Sequence, residues 1–181
     1  MALPKEELFS SGDYWDLPDG KRAELIDGQL YDMAPPSRVH QELVMELSAV
    51  IRNYIREKGG SCKVYPSPFA VDLNADDETY VEPDISVICD RGKLTDKGCK
   101  GAPDFIIEVV SPGSRKMDYS TKNALYFDAG VREYWIVDPA KRRTTVYRYE
   151  EDAAPMVIPF DLAITVGIYG DLQIVVEELL Q

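Results

Sequence analysis

Residues 103–139 read PDFIIEVVSPGSRKMDYSTKNALYFDAGVREYWIVDP, and two residues in them break the local pattern. Phe105-Ile106-Ile107-Glu108-Val109-Val110 is a nearly continuous apolar run of the kind a buried strand shows, with one carboxylate set into it. Dehydrating a lone carboxylate costs several kcal/mol unless a cation or hydrogen bonds compensate. Because side chains alternate along a strand, Ile106, Glu108 and Val110 share a face. A lysine at 110 would stand beside the glutamate, but the residue there is valine. From Arg115 to Ala129 helical spacing takes over, with Gly130 placed as a C-terminal cap. Lys122 falls in the apolar stripe of that helix, three residues after Tyr119 and four before Tyr126. It either points toward the sheet and supplies the missing charge or snorkels past the rings to water. Residues 134–138, YWIVD, form the next strand, and Asp138-Pro139 starts the turn into TTVYRY at 144–149.

Upstream, Asp27-Gly28 between AELI and QLYDM is a two-residue hairpin signal, since both central positions of that turn favour positive φ. Val39, Leu43, Leu47, Val50 and Tyr54 then recur at helical spacing until Gly59-Gly60, so a first helix is expected over about 37–58. Strand-like runs follow at 63–73, 81–89 and 104–110, the second with Pro83 at its beginning. The expected fold class is α/β (α+β), with core order α-β-β-β-α-β, a central mixed sheet flanked by helices, an N-terminal hairpin and added C-terminal strands from VGIY and LQIVV. The length, 181 residues, suits one domain spanning 1–181.

Acidic residues outnumber basic ones, 32 to 20, for a net charge of −12, which excludes a wholesale basic nucleic-acid coat. The charge is uneven. Residues 72–90 carry seven acids and no base, whereas 91–122 carry seven bases against four acids, and Lys141, Arg142 and Arg143 add a second basic cluster. These clusters are either solvated loops or a phosphate-facing surface on an acidic body. No apolar run is long enough to span a membrane, and MALPKEELFSSGDYW lacks the character of a signal peptide, so a cytoplasmic location is expected. Three cysteines, Cys62, Cys89 and Cys99, form no C-x-x-C and are expected to be reduced thiols. With His40 the only histidine, a metal here must be held mainly by oxygen.

Asp84 opens the second core strand. If that strand neighbours 104–110, Asp84 and Glu108 meet across the pair and suit a hard cation such as Mg²⁺. Asp104 competes on the same face as Glu108 but lies four residues away, roughly 13 Å along an extended strand. His40 flanks an apolar stripe near the first helix start, where it is either a packed, hydrogen-bonded histidine or part of a site edge. Ser111 and Ser114 follow the strand of Glu108, within reach of a phosphate. The acidic run 72–84 lacks a D-x-D-x-D-G loop, so a structural calcium loop is not indicated.

LPDGKRAELIDGQLYDMAPPSRVHQEL, VEPDISVICD and residues 103–139 together resemble the Uma family of putative restriction endonucleases, within the PD-(D/E)XK nuclease superfamily. The resemblance covers roughly residues 15–147, and its most specific part is the ordered set E-V-V-S-P, Asp118, Lys122, Tyr126, Gly130-Val131, Glu133-Tyr134-Trp135 and Asp138-Pro139. It implies catalytic roles for Asp84, Glu108 and Lys122, the lysine having moved from the strand position held by Val110 to the helix. It further implies Mg²⁺ or Mn²⁺ on Asp84 and Glu108 with the Val109 carbonyl, and supporting places for Glu24 and His40. The expected activity is metal-dependent cleavage of nucleic acid, DNA in the first instance, by a homodimer. The alternative is a catalytically silent nuclease fold that binds nucleic acid or serves as an oligomeric interaction module.

Overall fold

The computed structural model describes residues 8–151 and 153–180; the first seven residues of the stretch read for a signal peptide lie outside it. In chain order the elements are α1 (Ser11–Trp15), β1 (Ala23–Ile26), β2 (Gln29–Asp32), α2 (Arg38–Glu57), β3 (Lys63–Pro66), β4 (Ala70–Asp72), β5 (Tyr80–Val81), β6 (Ile85–Ile88), β7 (Leu94–Thr95), β8 (Gly98–Lys100), β9 (Phe105–Val109), α3 (Asn123–Asp128), β10 (Glu133–Asp138), β11 (Arg143–Arg148), β12 (Met156–Pro159), β13 (Ala163–Thr165) and β14 (Gln173–Val175). The expected core is present as α2-β3-β6-β9-α3-β10. A six-stranded sheet runs β12-β11-β10-β9-β6-β3, with β9 and β10 parallel and its other pairs antiparallel. A second sheet runs β2-β1-β5-β4-β8-β7, and β13 pairs with β14.

The first sheet has a core on each face. Leu43, Leu47, Ile51 and Ile55, four residues apart along α2, pack with Ile85, Val87, Phe105, Ile107, Val109 and Trp135 on one side. Removing a buried leucine from such a stripe costs about 2–5 kcal/mol. On the other face, Ile88, Ile106, Val110, Tyr134 and Ile136 meet Tyr126 of α3 and Ile26, Val71 and Val81 of the second sheet. Alternation therefore turns Glu108 toward α3 and the second sheet. The Asp27-Gly28 hairpin forms as expected, with φ of 51° and 70°.

Two expected strands are divided. Residues 63–73 become β3 and β4 in different sheets, because Pro68 has no N–H to continue a ladder. Residues 81–89 divide likewise: Val81 belongs to the second sheet and Ile85–Ile88 to the first, with Glu82, Pro83 and Asp84 making the crossing. VGIY is not a strand; Gly167–Tyr169 is a 3₁₀ turn, while LQIVV contributes β14. The expectation of reduced thiols is corrected for two cysteines. Antiparallel pairing of Lys63 with Ile88 sets Cys62 opposite Cys89, and the two are joined in a disulfide, leaving Cys99 as a buried thiol.

Candidate active site

The helical stretch begins with a π-helical turn over Met117–Lys122 before α3 proper. Its i→i+5 bonding widens the turn, so Asp118 and Lys122, four residues apart, both face inward and are buried. Lys122 does not snorkel. Its Nζ lies 2.8 Å from Glu108 Oε1 and 2.9 Å from Glu24 Oε1. Tyr126, one turn further on, donates its hydroxyl to the same Glu108 oxygen at 2.8 Å.

Asp84 and Glu108 are joined by their backbones. The other Glu108 oxygen accepts the N–H of Asp84 at 3.2 Å, and Asp84 Oδ2 accepts the N–H of Val109 at 2.8 Å. This clasp follows from β6 and β9 being neighbours, with Ile85 opposite Ile107. Ser67, just past β3, donates its N–H to the Asp84 carbonyl at 3.0 Å. His40 Nε2 stands 3.1 Å from Asp84 Oδ2, and its Nδ1 is buried without a hydrogen-bond partner among the described residues. His40 is placed by the helix cap, since the Ser37 hydroxyl accepts the His40 N–H at 3.2 Å. Glu24, in β1, accepts the Glu82 N–H at 2.8 Å, which brings the second sheet onto the cluster.

Five of the sequence-identified side chains thus converge, Asp84, Glu108, Lys122, Glu24 and His40, with the backbone of Val109 beside them. Asp104 is elsewhere, accepting the Cys89 N–H at 2.7 Å and pairing with Arg132. Ser111 and Ser114 each accept the other's N–H in the loop after β9, and Ser114 donates its hydroxyl to Asp118 at 2.7 Å. Asp118 and Tyr126 are members of the cluster that the strand-face reading does not reach. Their signal lay in the i,i+4 spacing of Asp118, Lys122 and Tyr126.

Four buried carboxylates, Glu24, Asp84, Glu108 and Asp118, surround one buried lysine and one histidine, leaving a surplus of negative charge. Burial pushes the Glu108 carboxyl well up; the Lys122 ammonium opposes that rise, and Asp84, Asp118 and Glu24 add to it. Burial also raises Asp118 to about 6, against the pull of Lys122 and Ser114. Burial would lower Lys122, yet Glu108, Glu24 and Asp118 hold it well above its ordinary value, so it stays cationic. Burial would likewise lower His40, but its hydrogen bond to Asp84 and that carboxylate's charge raise it instead.

Oxygen donors in negative surplus are what a hard divalent cation needs. Among the described residues no three His, Cys, Asp or Glu side chains gather as a metal cage. Mg²⁺ does not require one, because it binds through one or two carboxylates and completes its octahedron with waters and substrate phosphate. Asp84, Glu108 and the Val109 carbonyl are compatible with that mode.

Comparison with known proteins gives concordant results. The family model "Uma2: Putative restriction endonuclease" matches residues 12–164. Two uncharacterized proteins of Synechocystis sp. (strain ATCC 27184 / PCC 6803 / Kazusa) are similar: slr1290, 24% identical over 147 residues with 81% of this chain and 76% of the relative covered, and sll1609, 26% identical over 153 residues with 82% and 85% covered. In fold, the chain matches the crystal structure of a "putative nuclease belonging to DUF820" from Anabaena variabilis ATCC 29413, with a TM-score of 0.77 at 20% identity, over 95% of this chain and 97% of that one.

Proposed function

The chain belongs to the Uma2 family, described as putative restriction endonucleases, and on that premise we propose that it is a divalent-metal-dependent endonuclease that hydrolyses phosphodiester bonds of DNA. The observation that carries the proposal is the buried cluster of Glu24, Asp84, Glu108 and Asp118 around Lys122. A structural core has no use for that much uncompensated charge, whereas a metal and phosphate site does.

In this reading Asp84 and Glu108, with the Val109 carbonyl, hold Mg²⁺ or Mn²⁺, which supplies charge stabilisation and a lowered pKa for water. Lys122 orients the attacking water and offsets charge that develops on the phosphate. Glu24 and Tyr126 fix the lysine and Glu108 respectively, so neither must reorganise during reaction. His40, buried near the start of α2, holds the Asp84 carboxylate. One such site per chain cuts one strand, so a double-strand cut calls for two copies, and the proposal includes a homodimer.

The test is conversion of supercoiled plasmid to nicked and linear forms with Mg²⁺ or Mn²⁺ at low salt, wild type beside Asp84→Asn, Glu108→Gln and Lys122→Met. Metal-dependent cleavage by the wild type alone is the expected result. A wild type that cleaves no DNA, and whose divalent-cation binding is unchanged by Asp84→Asn and Glu108→Gln, overturns the proposal in favour of a silent nuclease fold.

A further inference from the structure

The end of the first basic stretch noted in the sequence, Arg115 and Lys116, meets the second, Lys141 and Arg143, in the fold. Asp138, at the end of β10 and wholly buried, pairs through both carboxylate oxygens with Arg115 and accepts the Lys141 N–H at 3.1 Å. In the β10–β11 register Arg143 lies directly opposite Asp138, on the sheet face that also carries Tyr134 and Tyr147. Lys116, exposed, follows Arg115 in the chain. Arg115, Lys116, Lys141 and Arg143 therefore share one corner of the molecule, where Asp118 also acts on Arg115 and Asp138 is the carboxylate bound directly. Arg115 neutralises that carboxylate, whereas Lys116, Lys141 and Arg143 form no ion pair among the described residues. Arg143 also keeps a buried Nε with no hydrogen-bond partner.

The position of this corner is as telling as its charge. Val110, which follows β9, donates its N–H to the Val137 carbonyl at 2.8 Å, so Asp138 stands next to the Ser111–Ser114 loop. In the parallel register Glu108 faces Ile136. Asp138 is then two residues along and one strand across from Glu108, on the order of 8 Å between backbones by ideal sheet spacing. On a chain of net charge −12, three cations outside any ion pair among the described residues, gathered around Asp138 on the strand beside Glu108, suit a polyanion.

We infer that the corner formed by Arg115, Lys116, Lys141 and Arg143 is the docking surface for the phosphodiester backbone flanking the bond to be cut. The inference rests on the nuclease reading above and assigns residues to substrate binding apart from the chemistry. Arg115 is committed to Asp138 and organises the corner; Lys116, Lys141 and Arg143 make the phosphate contacts. Nucleic-acid affinity carried by phosphate contacts is salt-dependent in proportion to their number, each contact on duplex DNA adding about 0.9 to the slope of log K against log salt.

The experiment measures binding of a fluorescein-labelled DNA duplex to the full chain by anisotropy, in EDTA, from low salt upward. Wild type is compared with Lys116→Gln/Lys141→Gln, with Arg143→Gln, and with Lys63→Gln on β3 at the opposite edge of the sheet as control. Circular dichroism melts confirm that each variant folds. Expected is at least a tenfold rise in Kd for the double variant, a salt slope smaller by about 2, and no change for Lys63→Gln. Equal affinity and slope in wild type and the double variant, or a loss matched by Lys63→Gln, overturns the inference, as does a wild type that binds no duplex. Binding without metal is independent of hydrolysis, so a failure of the nuclease reading is seen separately in the plasmid assay.

Discussion

Lys122 Nζ and Glu108 Oε1 lie 2.8 Å apart with both side chains about 5% exposed or less, so a cation from a helix and an anion from a strand are paired in the interior. The pair carries an excess of carboxylate rather than balancing it, since Glu24 shares the same ammonium.

Replacing the lysine by a hydrophobe of similar length leaves Glu108 and Glu24 buried without a cation. Lys122→Met is expected to lose about 3–5 kcal/mol of stability in denaturant titration, as for other broken buried pairs. Adding Glu108→Gln should recover part of it. If the single and double variants are equally unstable, the ion pair does not hold the helix to the sheet.

Asp84→Asn preserves an oxygen that can accept the Val109 N–H while removing the charge. The variant is expected to melt close to wild type and to cleave plasmid at least a hundredfold more slowly, with divalent-cation binding weakened in isothermal titration. Unchanged cation binding would remove Asp84 from the metal site.

Asp118 titrates at about 6 when folded against 3.8 as a free side chain, and it is almost wholly buried. The folded state binds this proton more tightly than the unfolded state, so the group's contribution falls as pH rises between those values and is fully lost above them. Asp118→Asn should therefore stabilise the protein at pH 7.5 by roughly 2–3 kcal/mol more than at pH 4. Denaturant titrations at the two pH values decide it, and an equal effect at both would contradict the assignment.

Gly98 has φ +150°, and a Cβ there would overlap the Ala70 carbonyl oxygen across the parallel β4–β8 pair. Gly98→Ala is expected to cost about 3 kcal/mol or more, or to prevent folding, because backbone cannot move aside as a side chain tip can. A melting temperature within a degree or two of wild type would refute this close approach.

Cys62 and Cys89 are joined, whereas the Cys99 thiol is raised to about 11 by burial. Protein purified without reductant and then denatured should expose one alkylatable thiol, and three after reduction, as read by intact mass. Three thiols without reduction would restore the simpler reading from sequence.

Much of this was legible in the chain. The order α-β-β-β-α-β, the Asp27-Gly28 hairpin and the α2 stripe are local periodicities, and a residue's neighbours along the chain are enough to set them. Glu108 and Lys122 stood out for the same reason, as charged residues in apolar patterns. What escaped was non-local. The runs 63–73 and 81–89 look continuous in sequence, yet each crosses between two sheets, a choice made by pairing partners rather than by propensity. Asp118 stood in the sequence only as part of the family resemblance, and it is the π-helical turn that faces it inward with Lys122.

The sequence alone therefore determined which elements form and which residues are chemically out of place, since those depend on interactions within a few residues. Tertiary structure alone decided that Lys122 reaches Glu108 and Glu24, that Cys62 meets Cys89, and that Arg115 and Lys141 gather at Asp138. Each of those contacts depends on strand register and on how helix and sheet stack. A shift of one residue would turn the same side chains to the opposite face.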